Sequence, residues 1–302
     1  MTVCVAALCD KGKGLVLASD KMIGIDTIES ELDIEKTFQV HPHWRVMFAG
    51  NDISPIPELL RRTKARLPEE EAVSLERIVN EVVASYREKR LSDAEARYLA
   101  PLSLTFSTFV NEGERYRGIF GRDNYVRLLT SIQEYELEIS LLVAGFDEKG
   151  NARLFSIDSD EGRGTPQYHD EIPGFHAIGS GGTAANHMMY YRALSAKLPA
   201  RLVALLAYEA KYFGEGGPGV GTRTDLYIWT SGKEPERLDE IFIEDVLVEK
   251  FMRKLEPQEI KRRHLESLNQ AKGFGDVAKV TIPPKNKKEE KYKDLITIIG
   301  EQ

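Results

Sequence analysis

Residues 2–22 read TVCVAALCDKGKGLVLASDKM, and the layout of that stretch decides the fold. Two apolar runs, residues 2–9 and 14–19, are each the length of one buried strand. Between them Asp10-Lys11-Gly12-Lys13-Gly14 reads as a turn, with glycines free to adopt positive φ. The stretch therefore predicts a β-hairpin whose first strand opens at Thr2, which gives that residue a fixed place in a sheet. Cys4 and Cys9 lie five apart on this strand, so their side chains point to opposite faces, which disfavours a disulfide between them. They match no metal or redox motif and are expected to be buried thiols.

The pattern repeats outward. TFQV (37–40) and WRVMFA (44–49) form a second hairpin around His41-Pro42-His43, and Gly50 ends it. Residues 55–66 read as a helix with Pro55 in its first turn. Residues 74–90 are an amphipathic helix, with Leu75, Ile78, Val79, Val82, Val83 and Tyr86 on one face. Strands then return at 137–145 and 152–158 around an Asp147–Asn151 turn, with a short one at 176–178. Helices are expected at 183–197 and 199–213, a strand at 225–230, and helix again from about 243.

Strands followed by helices, twice over, do not suit the alternation of a parallel βαβ protein. They predict an α+β fold, a four-layer αββα sandwich of two antiparallel sheets flanked by helices. Residues 1–242 would form this domain, with 98–135 as an insertion serving as a lid, a specificity wall, an assembly surface or a compact extra layer. Residues 243–302 would form a helical C-terminal extension with charged helices over 244–272. Its flexible Lys/Glu-rich tail ends in LITII, a segment suited to adding a strand to a partner's sheet edge.

The chain has 302 residues, 42% hydrophobic and 29% charged, with a net charge of −7. That is a globular composition, and its acidity argues against a nucleic-acid partner. No apolar run is long enough to span a bilayer, and the opening lacks the basic region and long apolar core of a signal peptide. A cytoplasmic protein without membrane association is the expectation. The six histidines are scattered, and no metal site or cofactor is expected. The Gly179-Ser180-Gly181-Gly182 turn lacks the lysine pattern of a phosphate-binding loop.

TVCVAALCDKGKGLVLASDKM resembles the start of mature proteasome β subunits and of the bacterial proteasome-like peptidase HslV, both N-terminal nucleophile hydrolases. IEKTFQV (34–40), VAGFDEKGNARLFSID (143–158), AIGSGGTAA (177–185) and, more loosely, GVGTRTDLYIWT (219–230) resemble further segments of that family in the same order. The resemblance covers roughly residues 2–250 in pieces. It implies the αββα sandwich, threonine peptidase or amidase chemistry on a peptide or other amide substrate, and a ring or other homo-oligomer, with an ATPase as a possible partner.

Carried over residue by residue, the resemblance makes Thr2 the nucleophile after removal of Met1, its own α-amine acting as base. Lys36 would favour the alkoxide electrostatically, and Asp20 would orient Lys36, with Lys21 as the competing partner for Asp20. Gly50 would offer its N–H to the oxyanion, or serve only the turn after its strand. Ser180 would hydrogen-bond the threonine amine, or cap the following helix. One departure stands out. The family carries Asp-x-x-Ser before its last core strand, whereas this chain reads GEGGPGVGTRTD, leaving Glu215, Thr222 and Asp225 to compensate. The same fold also serves non-catalytic proteasome-type assembly subunits and substrate-specific amidases or ligases, which are the competing readings.

Overall fold

A computed structural model describes residues 2–25, 28–31, 35–69, 72–158 and 164–238, with side chains described outside 23–31. The C-terminal extension expected over 243–302 lies outside the described residues. The chain opens with six strands: β1 (Cys4–Cys9), β2 (Gly14–Asp20), β3 (Met22–Ile25), β4 (Ile28–Glu31), β5 (Thr37–His41) and β6 (Trp44–Gly50). Helices follow: α1 (Ile56–Arg66), α2 (Leu75–Tyr98), a 3-10 turn at Ala100–Leu102, α3 (Phe106–Asn111), α4 (Gly113–Phe120) and α5 (Arg122–Gln133). The second half contains β7 (Ile139–Phe146), β8 (Ala152–Ile157), β9 (Pro166–Tyr168) and β10 (Phe175–Ile178). It continues with α6 (Gly182–Tyr191), α7 (Ala200–Gly214), β11 (Thr224–Thr230) and β12 (Glu236–Arg237).

The strands make two five-stranded antiparallel sheets, ordered β10-β1-β2-β11-β12 and β5-β6-β7-β8-β9, and among the described residues β3 and β4 pair with each other. Seven α-helices accompany them among the described residues. The fold is thus α+β.

Alternation along β1 and β2 sends apolar side chains to both faces of the first sheet. Val3, Val5, Ala7, Val16 and Ala18 bury with Met189 of α6 and with Val203 and Ala207 of α7. Cys4, Ala6, Leu8, Leu15 and Leu17 instead share a core with Met47 and Ala49 of β6 and with Leu142 and Leu154 of the second sheet. The other face of that sheet, including Val46, Phe48, Leu141 and Phe155, buries with α1 and α2 through Leu59, Ile78, Val79, Val82 and Tyr86. Cys4 and Cys9 are free, buried and in different clusters, as their odd spacing requires.

Strands β3, β4, β9 and β12 were not expected from the sequence, and three expected elements differ from it. The first hairpin turn uses left-handed backbone at Asp10 and Lys11 as well as Gly12. Asp10 is fixed there because its carboxylate accepts from Ala200 N at 3.1 Å, at the start of α7. The helix expected to reach residue 197 stops at Tyr191. Ala193 turns left-handed at φ 50°, and Leu194 N returns to Met189 O at 3.0 Å, closing the helix end. Conversely, α2 runs eight residues past its expected end, to Tyr98, because its last turns have something to bury. Ala94 and Leu99 pack with Phe109, Tyr116, Tyr125 and Ile132 of α3–α5, so the segment 98–135 builds a small core of its own. Phe109 and Tyr125 stack there at 4.6 Å.

Among the described residues, no helix is long and apolar enough to cross a membrane. The core shared by the two sheets is the joint on which both depend. Leu142→Ala, at a fully buried site in that joint, should cost about 2–5 kcal/mol, read as a lowered midpoint in urea unfolding.

Candidate active site

The site begins with a local necessity. Asp20 ends β2 opposite the start of β1, and its backbone N–H donates to Val3 O at 3.2 Å. The carboxylate is fully buried. An isolated charge there would be very costly, so donors must surround it. Val3 N reaches Oδ1 at 2.8 Å, Met22 N reaches Oδ2 at 2.9 Å, and Gly221 N reaches Oδ2 at 3.1 Å. Lys36 Nζ lies 2.9 Å from Oδ1 and 3.0 Å from Oδ2. The Thr2 hydroxyl donates to Oδ1 and in turn accepts from Lys36 Nζ.

Lys36 is only 2% exposed, so it is not a solvated surface lysine. It stands just before β5, whose Thr37 and Phe38 anchor it to the second sheet through β6. Asp20 comes from the first sheet, so their contact ties one sheet to the other. Lys21, the competing partner, points elsewhere and pairs with Asp225 at 3.5 Å.

Ser180 closes the site from the turn between β10 and α6. Its Oγ accepts from Thr2 N at 3.3 Å, and its one proton is shared between Pro218 O at 2.8 Å and Thr2 O at 3.3 Å. The α6 N-cap is Gly181, with no side-chain cap, so Ser180 does not serve as one. Gly179 has φ +96°, and a Cβ there would meet Thr2 O at 2.2 Å. Only glycine permits both the turn and the approach. Asn186 secures the turn from within α6, accepting from Ala177 N and donating to Ala177 O, each at 2.9 Å.

A cleft of about 750 Å3 opens over these groups, with Thr2, Gly50 and Ser180 in its wall. Gly50 ends β6 opposite Ile139. A Cβ there would meet Glu138 O at 2.5 Å and Ile139 Cγ2 at 2.8 Å, so strand packing alone requires glycine at that position. Glu136, Glu138, Asp158 and His176 also line the cleft. His176 stacks in parallel on His169 with centroids 3.8 Å apart. His169 Nε2 meets Ser156 Oγ at 2.9 Å, and that hydroxyl donates to Asp158 at 3.1 Å. Burial, reinforced by His176, holds His169 down to about 3, and burial also lowers His176 against the opposing pull of Asp158. Both rings are therefore neutral at neutral pH.

Compared with protein-family models and with curated proteins, the sequence matches none. Four of the five expected residues, Thr2, Asp20, Lys36 and Ser180, form one hydrogen-bonded group, and Gly50 shares their cleft. Among the described residues, no group of three or more His, Cys, Asp or Glu is spaced to hold a metal ion.

A rival nucleophile lies close by. Cys4 Sγ donates to Phe48 O at 3.4 Å and neighbours Thr2 and Lys36. Burial pushes its thiol up to about 12, with Lys36 only partly opposing. At neutral pH it is a thiol and chemically quiet. The electrostatic balance of the site is set by Asp20 and Lys36. Asp20→Ala should leave Lys36 buried without its counter-charge and cost about 3–5 kcal/mol, measured by urea unfolding against Leu142→Ala as a packing control.

Proposed function

We propose that this chain is an N-terminal threonine hydrolase of peptide or other amide bonds, and that its two sheets and their helices form the αββα sandwich of the N-terminal nucleophile hydrolase class. The single observation that carries the reading is the Thr2 hydroxyl, held between Lys36 Nζ and Asp20 Oδ1 at the head of β1 and open to a cleft. A buried lysine directed at a threonine oxygen stabilises the alkoxide form of that oxygen, which an ordinary strand threonine has no use for. The resemblance to proteasome β subunits points the same way.

The chemistry follows from these positions. Release of whatever precedes Thr2 frees its α-amine, with an ordinary pKa of about 8. The amine takes the hydroxyl proton as Oγ attacks the substrate carbonyl, and Gly50 N–H is the proposed oxyanion donor. The C–N bond then breaks, the departing amine collects the proton, and an ester to Thr2 remains. Water attacks the ester with the α-amine again as base, which releases the acid and restores the hydroxyl. Ser180, already bonded to Thr2 N, orients that amine. A homo-oligomer enclosing the site and an ATPase partner belong to the same proposal through the resemblance alone, and a cytoplasmic location belongs to it as expected from the sequence.

Glu136, Glu138 and Asp158 line the cleft, and no lysine or arginine does so among the described residues. Such a wall raises the local concentration of cations. Substrates with a positively charged side chain beside the scissile amide fit it best.

Incubation with a β-lactone tests the nucleophile. Ring opening by Thr2 Oγ adds the whole lactone mass, and the proton ends on the released hydroxyl. Peptide mapping should find the adduct on Thr2 in protein that begins at Thr2, and Thr2→Ala should take up none. Lys36→Ala should slow acylation by about a hundredfold or more. Folded wild-type protein that begins at Thr2 and stays unmodified would leave the non-catalytic assembly subunit as the better reading. For specificity, Glu136→Gln with Glu138→Gln should lower kcat/KM for a lysine-bearing amide by roughly threefold to tenfold, leaving a neutral amide unchanged. Equal loss on both substrates would remove the charge argument.

A further inference from the structure

The loop that lacks Asp-x-x-Ser is held by a side chain that no pattern in the sequence marks. Lys211 sits in the last turn of α7 and is completely buried. Its ammonium donates to Glu215 Oε1, Gly221 O and Thr222 O, each at 2.8 Å. All three oxygens lie at hydrogen-bond distance from the ammonium, which has three protons to donate. Burying a lysine without such partners would cost several kcal/mol, so the loop and the lysine fix each other.

What the loop then does follows from two of its backbone groups. Gly221 offers its carbonyl to Lys211 and its N–H to Asp20 Oδ2, at 3.1 Å. Pro218 offers its carbonyl to Ser180 Oγ at 2.8 Å. Two residues beyond Thr222, β11 begins, and its Thr224 lies opposite Asp20 in the sheet. The loop thus touches both the carboxylate that orients Lys36 and the hydroxyl that holds Thr2 N.

We propose that Lys211 is a positioning residue for the Thr2 centre. It clamps the 215–222 loop so that the Gly221 N–H meets Asp20 and the Pro218 carbonyl meets Ser180. The inference rests on Thr2 being the nucleophile. Lys211 meets no substrate; it acts through Gly221 on Asp20, and through the path of the loop on Ser180. A helix C-terminus suits such a cation, because the last carbonyls of α7 carry partial negative charge.

The test uses the full chain beginning at Thr2, with the same β-lactone as probe. Acylation is followed by intact mass against lactone concentration, which separates the maximal rate per site from the half-saturating concentration. The final modified fraction counts folded sites. Lys211→Met should lower the maximal rate per site at least about tenfold, because small misplacements of reacting groups carry large rate penalties, with the half-saturating concentration unchanged. Lys211→Arg keeps a buried donor cation and guards against a Met variant that fails to fold. It should fall between wild type and Lys211→Met, or below wild type by at least about threefold if only it folds.

A lysine with a merely structural role would reduce the modified fraction and leave the rate per site intact. That result in whichever variants fold overturns the proposal while the nucleophile reading stands. If wild-type protein itself takes up no lactone at Thr2, the nucleophile reading fails and this inference fails with it.

Discussion

A single buried carboxylate organises this molecule. Asp20 has no access to water, so its charge must be answered by the chain itself, and the answers come from distant places. Val3 and Met22 supply N–H groups from the flanking strands, Gly221 from the approach to β11, and Lys36 from the approach to β5. The geometry of the proposed centre is a by-product of that requirement. Once Lys36 and Asp20 are locked together, the Thr2 hydroxyl has one place to go, between them. Buried charge pairs contribute little net stability once desolvation is counted, but they punish misalignment severely. Here the pair spans the two sheets and penalises any slip of one against the other.

The second theme is how much of the centre is made from backbone. Gly179 comes so close to Thr2 O that no side chain fits, and Gly221 uses both its N–H and its C=O. Backbone donors are short and stiff once placed, but ordering a glycine backbone sacrifices more conformational freedom than ordering any other residue. They need support from behind, which Asn186 gives to the turn before α6 and Lys211 gives to the loop after α7. The glycine-rich run at 214–221 is therefore a packing solution, close enough to the site for peptide groups to replace side chains.

The three main hairpins were legible because their apolar runs are short and separated by turn residues, as at Asp147–Asn151, where Asp147 Oδ1 accepts from Asn151 N at 2.8 Å, whereas β3, β4, β9 and β12 and the pairings of β1 with β10 and of β2 with β11 were not. The buried face of α2 was legible through its period. The end of α6 was not, since a left-handed alanine at residue 193 carries no sequence mark. The same holds for the site. Thr2, Asp20, Lys36 and Ser180 lie on segments whose motifs announce them. Lys211 does not, because a lysine at a helix end usually faces water, and only the fold of the following loop turns it inward. The stacked pair His169 and His176 was also invisible, because His176 lies in β10 of the first sheet and His169 just after β9 of the second.

The register of β1 has a consequence for the order in which the molecule is made. β1 is an interior strand, paired on one side with β2 a few residues on and on the other with β10, where Cys4 meets Ile178. The first hairpin closes early in synthesis, since its partners are neighbours. Its other edge stays open until more than half of the chain has left the ribosome, because contacts of large sequence separation form late. Ser180 and Gly221 arrive later still. Until then Asp20 lacks part of its donor set and Thr2 lacks the group that holds its amide. An incomplete or unfolded chain therefore carries Thr2 without the surroundings of the proposed centre. The surroundings of the proposed centre are completed by one event, the docking of β10 and β11 on either side of the opening hairpin.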